Sequence, residues 1–264
     1  MKLTKTRLFL ASLAVLVLGV WIGGREPARV PAPIAPLAAH GVLPGPVLVI
    51  GGTKGTGFDI VKVLRNRGDA VAVLARPTSN TVELDKLGVR IVRGDALNAS
   101  EVNNVFTSDK YAAVISTLGT TGKDRPRPDF DGNKHVFDAA KAAGVRRVLL
   151  LTTIGSGNSK GVEPWIAGQF LKEIIALKTQ AEDYLRASGL DYTIIRPGGL
   201  LKSNIAPGEV FLTEDVQSFS WIGRNDLATL VVRALDDPLA VNKIYHAIDP
   251  GRTRFWSMKD AGKE

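Results

Sequence analysis

Two periodicities alternate along this chain. Short apolar runs rich in Val, Ile and Leu occupy 47–50, 70–74, 88–93, 112–116, 147–151, 192–195 and 243–248. Most are continuously apolar rather than alternating, which predicts strands covered on both faces. Between them, apolar residues recur at three- and four-residue spacing. That spacing predicts helices over about 56–67, 99–106, 131–143, 164–188 and 226–235. Gly68 and Gly144 stand where left-handed C-caps close helices. Strand and helix in alternation predict a Rossmann-like α/β fold, a doubly wound parallel sheet with helices on both faces. No internal repeat interrupts the pattern.

The first strand feeds a glycine-rich turn, Gly51-Gly52-Thr53-Lys54-Gly55-Thr56-Gly57. The turn opens a helix with Phe58, Val61 and Leu64 on one face. Strand, glycine turn and helix in this order form a dinucleotide-binding pattern. Glycines at 51, 55 and 57 remove Cβ atoms that would block a tight turn and a close pyrophosphate. The helix start offers unpaired N–H groups and a positive dipole end. A plain tight turn is the alternative.

The second strand bears on which dinucleotide is bound. An NAD site carries Asp or Glu roughly 20 residues beyond the first glycine. Here Leu74-Ala75-Arg76-Pro77-Thr78-Ser79 holds no carboxylate. Arg76 can clamp a 2′-phosphate bidentately, with Thr78 and Ser79 as hydroxyl donors and Lys54 as a second cation. This favours NADP over NAD. The alternative is that Arg76 and Lys54 are ordinary surface bases.

Composition narrows the chemistry. A chain of 264 residues, 45% hydrophobic, suffices for one large α/β domain. It contains no cysteine, which excludes disulfides, thiolate nucleophiles and Cys-ligated metals. His40, His135 and His246 are widely separated, so no metal site is expected. The net charge of +8 is scattered, with no basic run and no aromatic interleaving. Nucleic acid is therefore not an expected partner, and a phosphate-rich cofactor is the simpler account.

The N-terminus stands apart. Lys2, Lys5 and Arg7 precede an apolar run over 8–24, about 17 residues and at the lower limit for a bilayer span. No small-x-small cleavage site follows, so 1–24 is expected to anchor the chain in a membrane, with a cleaved export signal as the alternative. Pro27, Pro31, Pro33, Pro36, Pro44 and Pro46 make 25–45 a semi-extended linker. The expected domain covers 46–256, with a polar tail over 257–264. Charges flanking the apolar run differ too little to fix which side of the membrane the domain would occupy.

Over about 46–250 the chain resembles the short-chain dehydrogenase/reductase superfamily, in its atypical, NmrA-like and biliverdin-reductase-B-like branch. Besides the glycine turn, the resemblance rests on Gly94-Asp95-Ala96, the stretch 133–147, Lys178-Thr179-Gln180-Ala181-Glu182, the stretch 188–199 and Arg224-Asn225-Asp226-Leu227-Ala228. It implies cofactor contacts at Gly51, Thr53, Lys54, Gly55, Thr56, Gly57, Arg76, Asp95, Ala96, Thr117, Lys178 and Pro197. It also implies catalytic roles for Lys178, which would hold the nicotinamide ribose, and Thr153, which would orient the substrate. Asp95 either contacts adenine or only caps its turn. Arg196 either flanks the nicotinamide or forms an ion pair with a carboxylate such as Asp226.

One departure matters. The superfamily's catalytic pair is Tyr-x-x-x-Lys, and four residues before Lys178 this chain has Ile174. An isoleucine cannot exchange protons. The superfamily's serine position holds Thr152 or Thr153. Tyr184 lies six residues beyond Lys178, on a different helix face. His135 is expected within a helix, away from the cofactor. Trp165, Phe170 and Leu171 either wall a substrate pocket or belong to the core, and 200–220 is expected to cap it. The sequence thus implies an NADP-dependent reductase acting on a small carbonyl or conjugated substrate, or an NADP-binding sensor or scaffold without turnover.

Overall fold

The computed structural model describes residues 41–119, 126–163 and 165–253. The chain divides into two units, Met1–Val30 and Pro31–Glu264; the first lies outside the described residues. In chain order the second unit contains β1 (Val47–Ile50), α1 (Gly55–Arg67), β2 (Val71–Ala75), α2 (Val82–Lys86), β3 (Arg90–Arg93), α3 (Ala99–Thr107) and β4 (Ala113–Ser116). Then come α4 (Asp131–Ala142), β5 (Arg147–Leu151), α5 (Trp165–Ala187), β6 (Asp191–Pro197), β7 (Gly199–Leu201), β8 (Phe211–Thr213), β9 (Trp221–Gly223), α6 (Arg224–Asp236) and β10 (Lys243–Ile248).

Eight strands form one sheet in the order β3-β2-β1-β4-β5-β6-β10-β8. The expected α/β Rossmann-like sheet is present. It is not parallel throughout, because β8 pairs antiparallel with β10 at the edge. Strands β7 and β9 form a separate parallel pair.

The period of two along each strand divides the core. Val47 and Val49 of β1 face one side with Ile60, Val61 and Leu64 of α1 and Leu227, Val231 and Leu235 of α6. Leu48 and Ile50 face the other side with Val102, Val105 and Phe106 of α3, Val136 and Phe137 of α4, and Ala181 and Leu185 of α5. The central strands β1, β2 and β4 are therefore buried at every position, which is why their sequences read as near-continuous apolar runs.

Strand order reverses between β1 and β4. The chain winds outward through β2 and β3, returns to β4, and continues to β5 and β6. Register places Ile50 opposite Leu74 on one side and Ser116 on the other. The residues that follow these strands, Gly51, Arg76 and Thr117, thus emerge together at the carboxyl ends. That is where open α/β sheets bind ligands.

The N-terminal expectations need correction. No helix among the described residues is long and apolar enough to cross a membrane. The run over 8–24, on which the expected anchor or export signal rested, lies outside the described residues, as do the polar tail and most of the linker. Membrane attachment is therefore not carried further.

Candidate active site

The carboxyl ends of β1, β2, β4, β5 and β6 open onto a cleft of about 1160 Å³. The residues expected to contact the cofactor or to act in catalysis line it, and Ser79 does too, whereas Thr78 does not. Gly51, Thr53, Lys54, Gly55, Thr56 and Gly57 form its floor, Arg76, Asp95 and Ala96 one end, and Thr117, Thr153, Lys178 and Pro197 the other. Sequence reasoning gave no site role to Leu118, Gly119, Pro128, Asp129 and Arg224, which also line it, as do Leu200, Lys202, Ser203 and Asn204 from the stretch expected to cap the pocket.

The glycine turn is tight for a steric reason. Gly51 has φ 82°, and a Cβ there would lie 2.6 Å from Thr117 Oγ1. A Cβ on Gly57 would overlap the Gly51 carbonyl oxygen and lie 2.7 Å from Thr117 Oγ1. Thr117 Oγ1 itself donates to the Ile50 carbonyl at 3.2 Å. The turn brings the start of α1 to the cleft. No side chain caps that helix, and no acidic residue occupies its first turn. By contrast, Asn98 caps α3 by accepting from Ser100 and Glu101 N–H. The bare end of α1 is thus a ready anion site.

Charge in the cleft agrees with this. Among the described residues the lining carries five basic side chains, Lys54, Arg76, Lys178, Lys202 and Arg224, against two carboxylates, Asp95 and Asp129. The side chains of Lys54, Arg76 and Lys202 make no ion pair or hydrogen bond among the described residues. Arg224 donates to the Leu201 carbonyl at 2.7 Å. At the Arg76 end, the Arg93 guanidinium donates to the main-chain carbonyls of Arg76 and Ser79, at 3.1 and 3.4 Å, and so shapes the loop after β2. Asp95 accepts from Leu97 N–H at 3.1 Å, so it does cap its own turn.

At the opposite end, Lys178 Nζ donates to the Leu118 carbonyl at 3.0 Å and lies 3.2 Å from Asp129 Oδ1. Its side chain is 11% exposed and that of Asp129 1%.

Residues 51–238 match the family model described as NAD(P)H-binding. The chain belongs to this family. Within the family's reach, a Bacillus subtilis protein named as an uncharacterized sugar epimerase, YhfK, is 29% identical over 75% of this chain and 92% of its own. The NAD(P)H azoreductase of Xenophilus azovorans is 24% identical over 77% of this chain and 68% of its own. Among solved structures, ChuY, an anaerobillin reductase from Escherichia coli O157:H7, superposes with a TM-score of 0.70 and 28% identity. That match covers 78% of this chain and 97% of ChuY. The resemblance to the atypical, biliverdin-reductase-B-like branch holds, and the family is NAD(P)-binding and reductase-like.

None of the candidates that the sequence offered stands in for the tyrosine that the resemblance implies. Ile174 lines the cleft one helical turn before Lys178. Tyr184 is directed to α4, where its hydroxyl donates to Asp138 Oδ1 at 2.6 Å. His135 Nδ1 lies 3.0 Å from the Ala96 carbonyl and outside the cleft lining. Both threonines line the cleft, and their hydroxyls differ. Thr152 Oγ1 donates to the buried Glu182 Oε1 at 2.6 Å. Thr153 lines the cleft, and its hydroxyl has no partner among the described residues.

Arg196 does not face the cleft. It is 1% exposed and pairs with Glu182 through Nε–Oε1 and Nη2–Oε2 bonds of 3.0 and 2.5 Å, while Nη1 donates to Asn158 at 2.7 Å. The ion-pair alternative was right in kind and wrong in partner. Asp226 instead accepts from Gly208 N–H at 3.1 Å and lies 3.7 Å from Arg252. Leu171 lines the cleft, whereas Phe170 is 82% exposed. The side chain of Trp165 lies outside the described residues.

Proposed function

We propose that the chain is an NADP-dependent reductase acting on a small carbonyl or conjugated acceptor. The observation that carries this reading is the continuity of the cleft. An uncompensated guanidinium, a bare helix start and a partly buried lysine line a single groove across the strand-order reversal. The spacing suits a dinucleotide laid across the glycine turn. Gly51, Gly55 and Gly57, with the start of α1, would hold the pyrophosphate. Thr53, Thr56 and Thr117 would flank it. Arg76 and Lys54 would take the 2′-phosphate, and Asp95 and Ala96 the adenine. Lys178 and Pro197 would hold the nicotinamide riboside.

The cofactor would supply a hydride at the nicotinamide C4. The chain's own part is to bind, orient and exclude water. Thr153 offers a free hydroxyl to the acceptor. Leu118, Pro128, Leu171, Ile174 and Leu200 give the neighbouring wall an apolar surface. A reductase without the usual tyrosine favours acceptors that need little protein-supplied acid, the proton coming from solvent or through Thr153.

Ile174 favours a second reading, in which the cleft binds NADP as a sensor or scaffold without turnover. One experiment separates the two. The full chain is titrated with NADPH and with NADH while thermal stability is followed. Dihydronicotinamide absorbance is then monitored with quinones, flavins and aldehydes. Tighter NADPH binding with acceptor-dependent oxidation is the expected result. Binding without oxidation by any acceptor class would favour the sensor, and no binding would remove the dinucleotide reading.

A further inference from the structure

Among the described residues that line the cleft, Asp129 is the one buried carboxylate whose surroundings leave it incomplete. Its side chain is 1% exposed, yet neither Oδ1 nor Oδ2 accepts a hydrogen bond. Buried carboxylate oxygens are almost always hydrogen-bonded, because burial without a donor is costly. Its charged neighbour is Lys178, whose Nζ lies 3.2 Å from Oδ1 but off hydrogen-bond alignment. The neighbouring Asn133 side chain bonds the main-chain carbonyl of Asp129 at 2.7 Å, not its carboxylate.

Gly119 packs against the pair without side-chain bulk. A Cβ on Gly119 would lie 3.4 Å from Asp129 Oδ1 and 3.8 Å from Lys178 Nζ. A larger residue at 119 would cover both groups. The cleft therefore presents, side by side, a carboxylate that lacks a donor and an ammonium with one N–H committed to Leu118. A vicinal diol matches that arrangement: one hydroxyl donates to the carboxylate and the other accepts from the ammonium.

Position in the fold says which sugar. Asp129 follows β4 and Lys178 follows β5, on the far side of the glycine turn from Arg76. A dinucleotide with its 2′-phosphate at Arg76 puts its other ribose at this pair. We propose that Asp129 is a cofactor-binding residue that accepts a hydrogen bond from a hydroxyl of the nicotinamide ribose, with Lys178 as its donor neighbour. The proposal rests on the dinucleotide reading above. It gives the unsatisfied carboxylate its missing partner and explains why the lysine is held rather than free.

The test uses the full chain, isothermal titration calorimetry, and two ligands: NADPH and adenosine 2′,5′-bisphosphate, which has the 2′-phosphate but no nicotinamide ribose. Asp129→Ala is expected to weaken NADPH by about tenfold or more, as for loss of a hydrogen bond to a charged group. Binding of the bisphosphate is expected to stay at the wild-type level, which also certifies the fold. Asp129→Asn keeps an acceptor of the same shape and is expected to lose less. Unchanged NADPH affinity in both variants would overturn the proposal. So would an equal loss for both ligands, since a carboxylate that merely supports the fold affects both halves of the cleft. If the wild-type chain binds neither ligand, the dinucleotide reading fails, and that failure is visible before any variant is made.

Discussion

Arg76 follows β2 directly, at the position where an NAD site would place its ribose-binding carboxylate. Its guanidinium has no partner among the described residues, so it is available to a 2′-phosphate. Arg76→Ala is expected to weaken NADPH by about 1–3 kcal/mol and NADH far less, the scale of a lost charge-assisted pair. Calorimetric titration with both cofactors checks this, and equal losses would exclude the phosphate role. Gly57 makes a different demand. Space is the constraint there, because a Cβ would overlap the Gly51 carbonyl oxygen. Gly57→Ala is expected to cost about 1–3 kcal/mol of stability as the turn shifts. It should also abolish binding of both cofactors. Thermal melts with the same titrations read both effects; wild-type affinity in this variant would take the turn out of the site.

At the level of elements, the Arg196–Glu182 pair fastens β6 to α5, and through Thr152 and Asn158 it also holds the loop after β5. Lys178 lies one turn before Glu182 on the same helix, so this lock fixes the reach of Lys178 into the cleft. Breaking a buried pair by removing one partner typically costs about 3–5 kcal/mol. Glu182→Leu is expected to lose stability on that scale, and Glu182→Leu with Arg196→Met to recover much of it, as denaturant midpoints will show. A double variant no more stable than the single one would mean that the charges, not the packing, hold the junction. The strands β1, β2, β4 and β5 were legible because each lies in a run of four or more apolar residues between clear helical periods. The elements missed are the short ones. β7, β8 and β9 have three residues each and α2 five, too few to display a period. The glycine turn, Arg76 and Lys178 were legible because local order in the chain fixes where they emerge. Glu182 as the partner of Arg196, and Asp129 beside Lys178, were not. Both depend on which helix packs against which strand, and linear spacing does not encode that.

The described residues build an eight-stranded sheet with an apolar layer on each face, and the charged groups buried within it set how its stability responds to acid. His246 on β10 is the clearest case. It is fully buried, and its Nδ1 lies 2.8 Å from the Ser218 carbonyl, which fixes Nδ1 as the protonated nitrogen. Nε2 then points into the core without a partner. Desolvation holds the imidazole below its ordinary value of 6.5, and the nearby Arg196 charge adds to this against the opposing Ser218 bond. The unfolded chain therefore takes up a proton near pH 6.5 that the folded chain refuses. Stability is full above that value and is lost as pH falls through it, by at most about 1.4 kcal/mol per pH unit for one proton. Asp226 works in the opposite sense. Its burial raises its value above 3.8, so its ionisation costs stability as pH rises, and protonation relieves that cost in acid. The carboxylates held low, Asp138 and Asp191, lose their contribution only as pH falls below 3.8. Across about pH 7 to 5.5 the histidine lowers stability as pH falls, whereas any protonation of Asp226 acts in the opposite direction. Urea midpoints across that range are expected to fall for the wild-type chain and to stay nearly flat for His246→Asn, which keeps a donor for Ser218 and cannot ionise. A slope unchanged in the variant would assign the acid sensitivity to another group.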